Sequence, residues 1–420
     1  MIVLVVGSGG REHAICTALL KSPLLTKLYC APGNGGISRI AECRAVAATD
    51  IEGMVALAQE ISADLVMVAP DDPLALGLVD ALEAAGILAF GPRKNAAIIE
   101  ASKAFSKELM QKYNIPTAEY AVFDDLDAAH AYIQKMGAPI VIKADGLALG
   151  KGVVVAETVA EACSAATEML SGSRFGAAGQ RIVVEEFLSG PECSILAFTD
   201  SKTMAAMPSA QDHKRIFDGD KGPNTGGMGA FSPTATYTSD IAAFCQTEIF
   251  DKTMHAMNAE GRPFKGVLYF GLMLTAKGPK VIEYNARFGD PETQAVLLLL
   301  ETDLLSIFLA VCEERLSELP ICWKENTFAA TVVLASGGYP GAVVSGVPIA
   351  GIAAANALSD VVVFEAGTKC SGGETVTAGG RVLGVTAVGD TLSAALDQAY
   401  AGVSLISFEG MQYRSDIGKK

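Results

Sequence analysis

Five segments of the 420-residue chain carry residue types that do chemistry, at spacings a plain core would not need. The first is Gly7-Ser8-Gly9-Gly10-Arg11-Glu12, between an apolar run and a helical pattern. Backbone N–H groups at a strand-to-helix turn, backed by the helix dipole, attract an anion such as phosphate. Arg11 would add donors of its own. A dinucleotide site is the familiar use of such a turn. Here, however, Glu12 stands at the third glycine position of that fingerprint, and the second strand ends in Ala31-Pro32-Gly33 with no acid for a ribose. A phosphorylated sugar suits the turn better. A nicotinamide-dependent dehydrogenase and a plain tight turn are the alternatives.

The second segment runs from Lys143 to Val153 and holds Gly146, Gly150, Lys151 and Gly152. A lysine ends one strand, and a glycine-rich loop with a second lysine precedes the next. Such a loop can close over phosphates as a lid. It is not a Walker A loop, because the Gly-Lys pair is followed by Gly-Val and then by a strand. The third segment, Val183–Glu192, ends a strand in Glu185 and Glu186, crosses Phe187, Leu188 and a Gly-Pro turn, and meets Glu192. The fourth is Val281–Thr293. Glu283 and Asn285 are two apart on a strand and face one side. A carboxylate and an amide oxygen there are hard ligands suited to Mg²⁺. The preceding strand, Gly271-Leu272-Met273-Leu274, offers no further acid. The fifth pairs Gln211-Asp212-His213-Lys214-Arg215 with a glycine-dense stretch containing Gly226, Gly227 and Met228. A polar stretch of this length inside an apolar chain is either functional or mobile.

The elements that must position these residues alternate in period. Strands are expected at Ile2–Val6, Leu28–Ala31, Leu65–Ala69 and Ile87–Phe90, with helices at Glu12–Leu20, Ile51–Ile61 and Leu74–Ala85 between them. Strand–helix alternation with short turns implies a doubly wound parallel sheet. Ligands bind at the carboxyl ends of its strands, where the glycine turns lie. A helical pattern from Asn95 to Tyr113 links this unit to a second one. That unit has strands at Ile140–Lys143, Val153–Ala156 and Ile182–Glu186 and helices at Leu126–Lys135 and Val159–Leu170. The final ninety or so residues give strands at Ala329–Ala335, Val361–Glu365 and Arg381–Thr386 and a helix at Leu392–Ala401. The expected domains are 1–101, 102–325 with a lid at about 117–188, and 326–420.

Bulk properties narrow the function classes. A net charge of −15 argues against a general nucleic-acid binder, which needs basic surface. No apolar run is long enough to span a membrane. The N-terminal MIVLVVGSGG lacks a basic start and runs into a glycine turn, so it reads as a strand. The nine cysteines are scattered and form no CxxC pair, and the chain is expected to be cytoplasmic and without disulfides.

The order of lysine, glycine lid and Glu-Glu-Phe-Leu resembles the ATP-grasp superfamily, an α/β fold in which adenine lies between two lobes. By that resemblance the chain has an N-terminal doubly wound domain, an ATP-grasp domain and a small C-terminal α+β domain. ATP would be contacted by Lys103, Lys143, the lid residues Gly150, Lys151 and Gly152, and Glu185, Glu186, Phe187 and Leu188, with Glu192 on the ribose. Glu283 and Asn285 would hold Mg²⁺ or Mn²⁺. The stretches Gly9–His13, Ala31–Gly35, Gln211–Arg215, Gly222–Ala230 and Asn285–Thr293 resemble, more narrowly, the glycinamide ribonucleotide synthetases. That likeness implies ligation of glycine to 5-phosphoribosylamine through glycyl phosphate. The substrates would meet Gly9, Gly10, Arg11, Asn34, Gly35, Asp212, Lys214, Arg215, Gly226, Gly227 and Met228. Arg287 would hold the glycine carboxylate or the transferring phosphate, and Asp212 or Asp290 would take the amine proton. One departure is Pro70-Asp71-Asp72-Pro73, where the family pattern has Pro-Glu-x-Pro. The resemblance implies small-molecule partners only and a monomer or homodimer.

Overall fold

The computed structural model describes residues 1–147, 152–171 and 179–419. Five parallel strands lie in the order Glu42–Cys43, Lys27–Pro32, Ile2–Gly7, Leu65–Val68, Leu88–Phe90. Side chains alternate across the central strand: Leu4 and Val6 enter one core, Val3 and Val5 the other. Burial on both faces is why Ile2–Val6 is a continuous apolar run. Two expected helices are divided. Gly77 adopts a left-handed conformation (φ 97°) and separates Asp71–Leu76 from Leu78–Ala84. Ser102 is extended and accepts a hydrogen bond from Phe105 N at 3.1 Å, capping Lys103–Lys112 after Lys94–Ala101 has ended.

The lid is an antiparallel sheet ordered Tyr120–Phe123, Ile182–Glu186, Ile140–Ala144, Val153–Ala156. Helices Leu126–Met136 and Val159–Leu170 supply its core around Ile133, Ala166, Ile142 and Val184. The body is a second antiparallel sheet, Met204–Ala206, Glu192–Asp200, Lys265–Thr275, Gly278–Asn285. Phe270 and Leu272 share one core with Leu4, while Phe198, Tyr269 and Phe288 share the other with Val3, so body and N-terminal sheet are fused.

The third antiparallel sheet runs Gln211–Asp212, Gly229–Ser232, Phe328–Ala335, Arg381–Gly389, Val361–Glu365, with helix Leu392–Leu405 packed on it. Its first two strands come from the middle of the chain, so a boundary at 326 divides the sequence but not this sheet. Gly229–Ser232 is fully buried yet lacks an alternating apolar pattern. Its partners Ala329–Val332, not its own side chains, specify it as a strand.

A polar latch joins the N-terminal and C-terminal sheets. Asn34 donates through its amide to Ser8 O and Glu365 O, both at 2.8 Å. His13 Nδ1 accepts from Glu365 N at 2.8 Å, and the Glu365 carboxylate pairs with Arg39 and accepts from Thr368 Oγ1 at 2.8 Å. Burial, helped by Arg39, pushes the His13 imidazole down to about 4 from 6.5. Between these values the unfolded chain binds the proton and the folded chain does not, so stability is full above about pH 6.5 and lost as pH falls toward 4. The loss is on the order of 3 kcal/mol. Thermal melting at pH 7 and pH 5 should show it, and His13→Asn, which keeps an acceptor without the titration, should flatten the difference. An equal pH dependence in the variant would show that His13 is not its source.

Candidate active site

Lys143 is the penultimate residue of the lid strand Ile140–Ala144 and is 2% exposed. Its Nζ donates to Glu185 and to Ile282 O, each at 3.0 Å. Lys107, from helix Lys103–Lys112, reaches the same carboxylate at 2.9 Å and Thr117 Oγ1 at 2.8 Å. Burial lowers the Lys107 ammonium to about 8 against the pull of Glu185. Glu185 therefore sits buried between two lysines and is a brace for them. The side chain expected to contact ATP is instead engaged by these two lysines. Glu186 accepts from Lys280 at 3.1 Å and ties lid to body. Phe187 and Leu188 form the irregular crossing from Ile182–Glu186 to Glu192–Asp200, with Phe187 39% exposed.

The lid loop is anchored at its base. Ala144 N donates to Gly152 O at 2.8 Å. Asp145 accepts from Ala104 N at 2.7 Å, from Ser102 Oγ at 2.9 Å and from Arg181 at 2.6 Å. Lys103 Nζ donates to Gly146 O at 3.0 Å, and burial lowers its ammonium. Gly150 and Lys151 lie outside the described residues.

On the body sheet, Glu283 lies in register with Gly271, so no side chain opposes it there. Lys214 Nζ is 3.2 Å from Glu283 and 3.7 Å from Glu192. Lys214, against the cost of burial, and then Lys143 and Lys103 hold the Glu283 carboxyl down to about 2. The Glu283 pairing in turn raises the Lys214 ammonium well above its ordinary value. An ionised carboxylate with the Asn285 amide oxygen on the same face fits a divalent cation completed by phosphate oxygens. Among the described residues no cluster of three or more His, Cys, Asp or Glu forms a self-sufficient cage.

Arg287 lies beyond that strand. It pairs with the buried Glu100 at 3.0 Å and donates to Asn285 Oδ1 and Phe288 O, each at 3.2 Å. Glu100 also accepts from Ala286 N at 2.7 Å, and its carboxyl is raised by burial against the pull of Arg287. The Arg287 Nε is buried and has no hydrogen-bond partner among the described residues, which leaves an unspent donor on the guanidinium.

Asp212 is placed by pairing of Gln211–Asp212 with Ala230 and Phe231. One of its oxygens is buried and without a hydrogen bond among the described residues. Burial first, and Glu292 second, raise its carboxyl well above the usual range. Such a group accepts a proton or pairs with an ammonium ion. Glu292 is itself buried and accepts from Ser194 Oγ at 3.1 Å. Gly227 closes over Asp212 with φ 114°, and a Cβ there would meet Pro291 Cδ at 2.4 Å and Asp212 Oδ1 at 2.7 Å.

Several expected contacts turn out to be braces. Asp290 is paired with Arg381 at 3.1 Å and accepts from Gln294 at 2.7 Å. Burial raises its carboxyl, but Arg381 and Arg11 outweigh that and leave it lowered. A carboxyl held low takes up a proton less readily than the raised Asp212 carboxyl. Arg11 binds Glu12 at 2.7 Å and Phe288 O at 3.0 Å, while Glu12 accepts from Gly9 N and caps the helix Gly10–Leu19. This is the use of the residue that breaks the dinucleotide fingerprint. Asn34 spends both amide donors on Ser8 O and Glu365 O and accepts from Ile37 N, and Gly35 N donates to Thr368 O. These two shape the loop, and direct substrate contact by the Asn34 side chain is corrected. Met228 is fully buried with Ile216 and Val333, its N–H bonded to His213 O and its carbonyl to Val333 N. It is core. Arg215 donates to Gly222 O at 2.6 Å within its own hairpin.

Sequence reasoning missed Lys107, Glu100, Glu292 and Arg381. Arg381 donates to Gly226 O and Asp290 O, both at 2.7 Å, and so joins the glycine segment to the Asp290 turn. Its only signal was the Gly379-Gly380-Arg381 run. Glu100 and Lys107 sit on helical faces, where a charge reads as solvated.

The chain matches the phosphoribosylglycinamide synthetase N domain over residues 1–100, the ATP-grasp (A) domain over 101–293 and the C domain over 329–420. A phosphoribosylamine–glycine ligase of Caulobacter vibrioides is 51% identical over 420 residues, covering 100% of this chain and 98% of that one. The crystal structure of a phosphoribosylamine–glycine ligase from Thermotoga maritima superposes with a TM-score of 0.87 at 33% identity, covering all of both chains. A biotin carboxylase from Campylobacter jejuni has a TM-score of 0.75 at 15% identity, covering 98% of this chain and 92% of that one, and shares the fold.

Proposed function

The chain belongs to the phosphoribosylglycinamide synthetase family, and on that premise we propose that it joins glycine to 5-phosphoribosylamine, converting ATP to ADP and phosphate and yielding glycinamide ribonucleotide for purine synthesis. The observation that carries this reading is the Lys214 Nζ at 3.2 Å from Glu283, with Lys143 bonded to Ile282 O one residue away, Lys103 near enough to help lower the same carboxyl, and Arg287 on Asn285. Three ammonium groups around one carboxylate match a triphosphate and its cation.

A carboxylate is a poor electrophile. Transfer of the γ-phosphoryl group to glycine gives glycyl phosphate, which the neutral sugar amine then attacks, expelling phosphate. Lys143 and Lys214 hold phosphate charge by position. Glu283 and Asn285 would hold Mg²⁺ or Mn²⁺, which when bound neutralises phosphate charge and orients the transferring group. Arg287, fixed by Glu100, presents its remaining donor to the glycine carboxylate. Asp212 takes the proton released by the amine. The sugar phosphate lies at the first-turn amides of Gly10 and Arg11, which a helix start leaves without intrahelical partners.

The test is ADP release from purified protein with ATP, Mg²⁺, glycine and phosphoribosylamine generated in place, leaving out one component at a time. Release that requires both glycine and the sugar amine supports the reading; release that requires neither overturns it. Arg287→Lys, which keeps the charge facing Glu100 but loses the fork, is expected to raise the KM for glycine about 10- to 100-fold, the loss of a charged hydrogen bond of about 1.5–3 kcal/mol. Excess glycine should restore most turnover. An unchanged glycine KM removes Arg287 from the glycine site.

A further inference from the structure

Lys214 stands at the base of a hairpin formed by Arg215–Phe217 and Lys221–Asn224. The base is closed where Thr225 donates its N–H and Oγ1 to Lys214 O, each at 2.8 Å. The tip is gripped by a segment distant in sequence. Arg414 is 0% exposed and grips Asp416 through two nitrogens at 2.7 and 2.8 Å. From there it donates to Asp220 at 2.8 Å and to Arg215 O at 3.2 Å. Asp416 also accepts from Gly219 N at 2.8 Å, and Ser415 N donates to Asp218 at 2.9 Å. Gly418 N donates to His213 Nε2 at 3.2 Å, next to Lys214. The segment is itself anchored, because Tyr400 OH donates to Arg414 O at 2.8 Å and accepts from Ile417 N at 3.1 Å.

A fully buried arginine is costly unless its donors are matched, and a buried charge network of this kind fixes one geometry more than it adds stability. What it fixes here is the hairpin that aims Lys214 at Glu283 and Glu192. We propose that Arg414–Gly418 is a positioning element of the active site, with Asp416 and Asp218 acting on turnover through Lys214. The inference rests on the ligase reading only in taking Lys214 to serve the reaction.

The test is a double-mutant cycle. Asp416→Ala, at a partly exposed site, is expected to lower kcat about tenfold alone but less than about twofold in a Lys214→Ala background, since coupled residues are not additive. Asp416→Glu should recover most of the loss. In parallel, the rate of acylation of Lys214, read by mass spectrometry on the folded protein, should rise several-fold in Asp416→Ala while that of the buried Lys107 stays constant. Equal losses of kcat in both backgrounds, or unchanged Lys214 labelling, overturn the proposal. Wild-type turnover in Lys214→Ala overturns it too, and marks the fault as lying in the role given to Lys214. Should Asp416→Ala fail to fold, Asp218→Ala, which frees the Ser415 contacts and leaves the Arg414–Asp416 pair in place, runs the same cycle with the same criteria.

Discussion

Glu283→Gln is expected to lower kcat by about 10²- to 10³-fold in a protein that still folds, the scale seen when one preorganised charge partner is removed. Glutamine keeps the shape of the side chain and its place in register with Gly271. The charge is what disappears. The carboxyl is held down to about 2, chiefly by Lys214 and then by Lys143 and Lys103, so it is anionic throughout any working pH. Without it, three ammonium groups face an amide, and the hard-ligand pair with Asn285 loses its charged member. The same assay at rising Mg²⁺ should show half-saturation moving to higher concentration, because a neutral oxygen binds the ion less well. The pH profile of the remaining activity should keep its shape, since a group titrating near 2 cannot set a limb between pH 6 and 9. A kcat near wild type at saturating Mg²⁺ would remove Glu283 from the phosphate site.

How much of this was legible depended on what each residue's type had to satisfy locally. Strands buried on both faces, such as Ile2–Gly7 and Leu65–Val68, announce themselves as apolar runs. So do three of the lid strands, Ile140–Ala144, Val153–Ala156 and Ile182–Glu186, and in the lid helices period and caps agree. The short strand Tyr120–Phe123 is half-buried along its length and has no clean alternation. Gly229–Ser232 becomes a strand only because Phe328–Ala335, a hundred residues on, lies beside it. That pairing is also why Asp212 belongs to the C-terminal sheet, something no local pattern could state. Within the candidate site, the polar, glycine-dense motifs pointed to Lys143, Lys214, Asp212, Glu283 and Arg287. Their roles were harder, because a motif does not say which polar group is spent on its neighbours. Asn34, Asp290 and Glu185 are spent in this way, on backbone carbonyls, on Arg381 and on two lysines. Lys107 and Glu100 were missed for the converse reason. Each is a lone charge in a helix, which reads as surface, and only tertiary packing buries it: Glu100 against Ala286 and Arg287, Lys107 against Glu185 and Thr117.

Lys143→Met should cost turnover on a similar scale, about 10²- to 10³-fold in kcat/KM for ATP, and its interpretation turns on the second lysine. Lys143 is 2% exposed, so deleting it would ordinarily risk the fold by leaving Glu185 as an unpaired buried charge. Here Glu185 keeps Lys107 at 2.9 Å, and methionine fills the volume of the lysine stem. The variant therefore removes a charge from the phosphate site without stranding its partner. Lys107→Met is the matched control: it is equally buried, bonded to the same carboxylate, and directed at Thr117, which in turn donates to Val281 O at 2.7 Å. Lys143, in contrast, reaches Ile282 O, one residue from Glu283, and helps hold that carboxylate ionised. If position decides function, Lys107→Met lowers the melting temperature and leaves ATP turnover within about threefold of wild type, inside the spread of effects at non-contacting sites. If both variants lose turnover equally, the two lysines act as one unit through Glu185, and the assignment of phosphate contact to Lys143 fails.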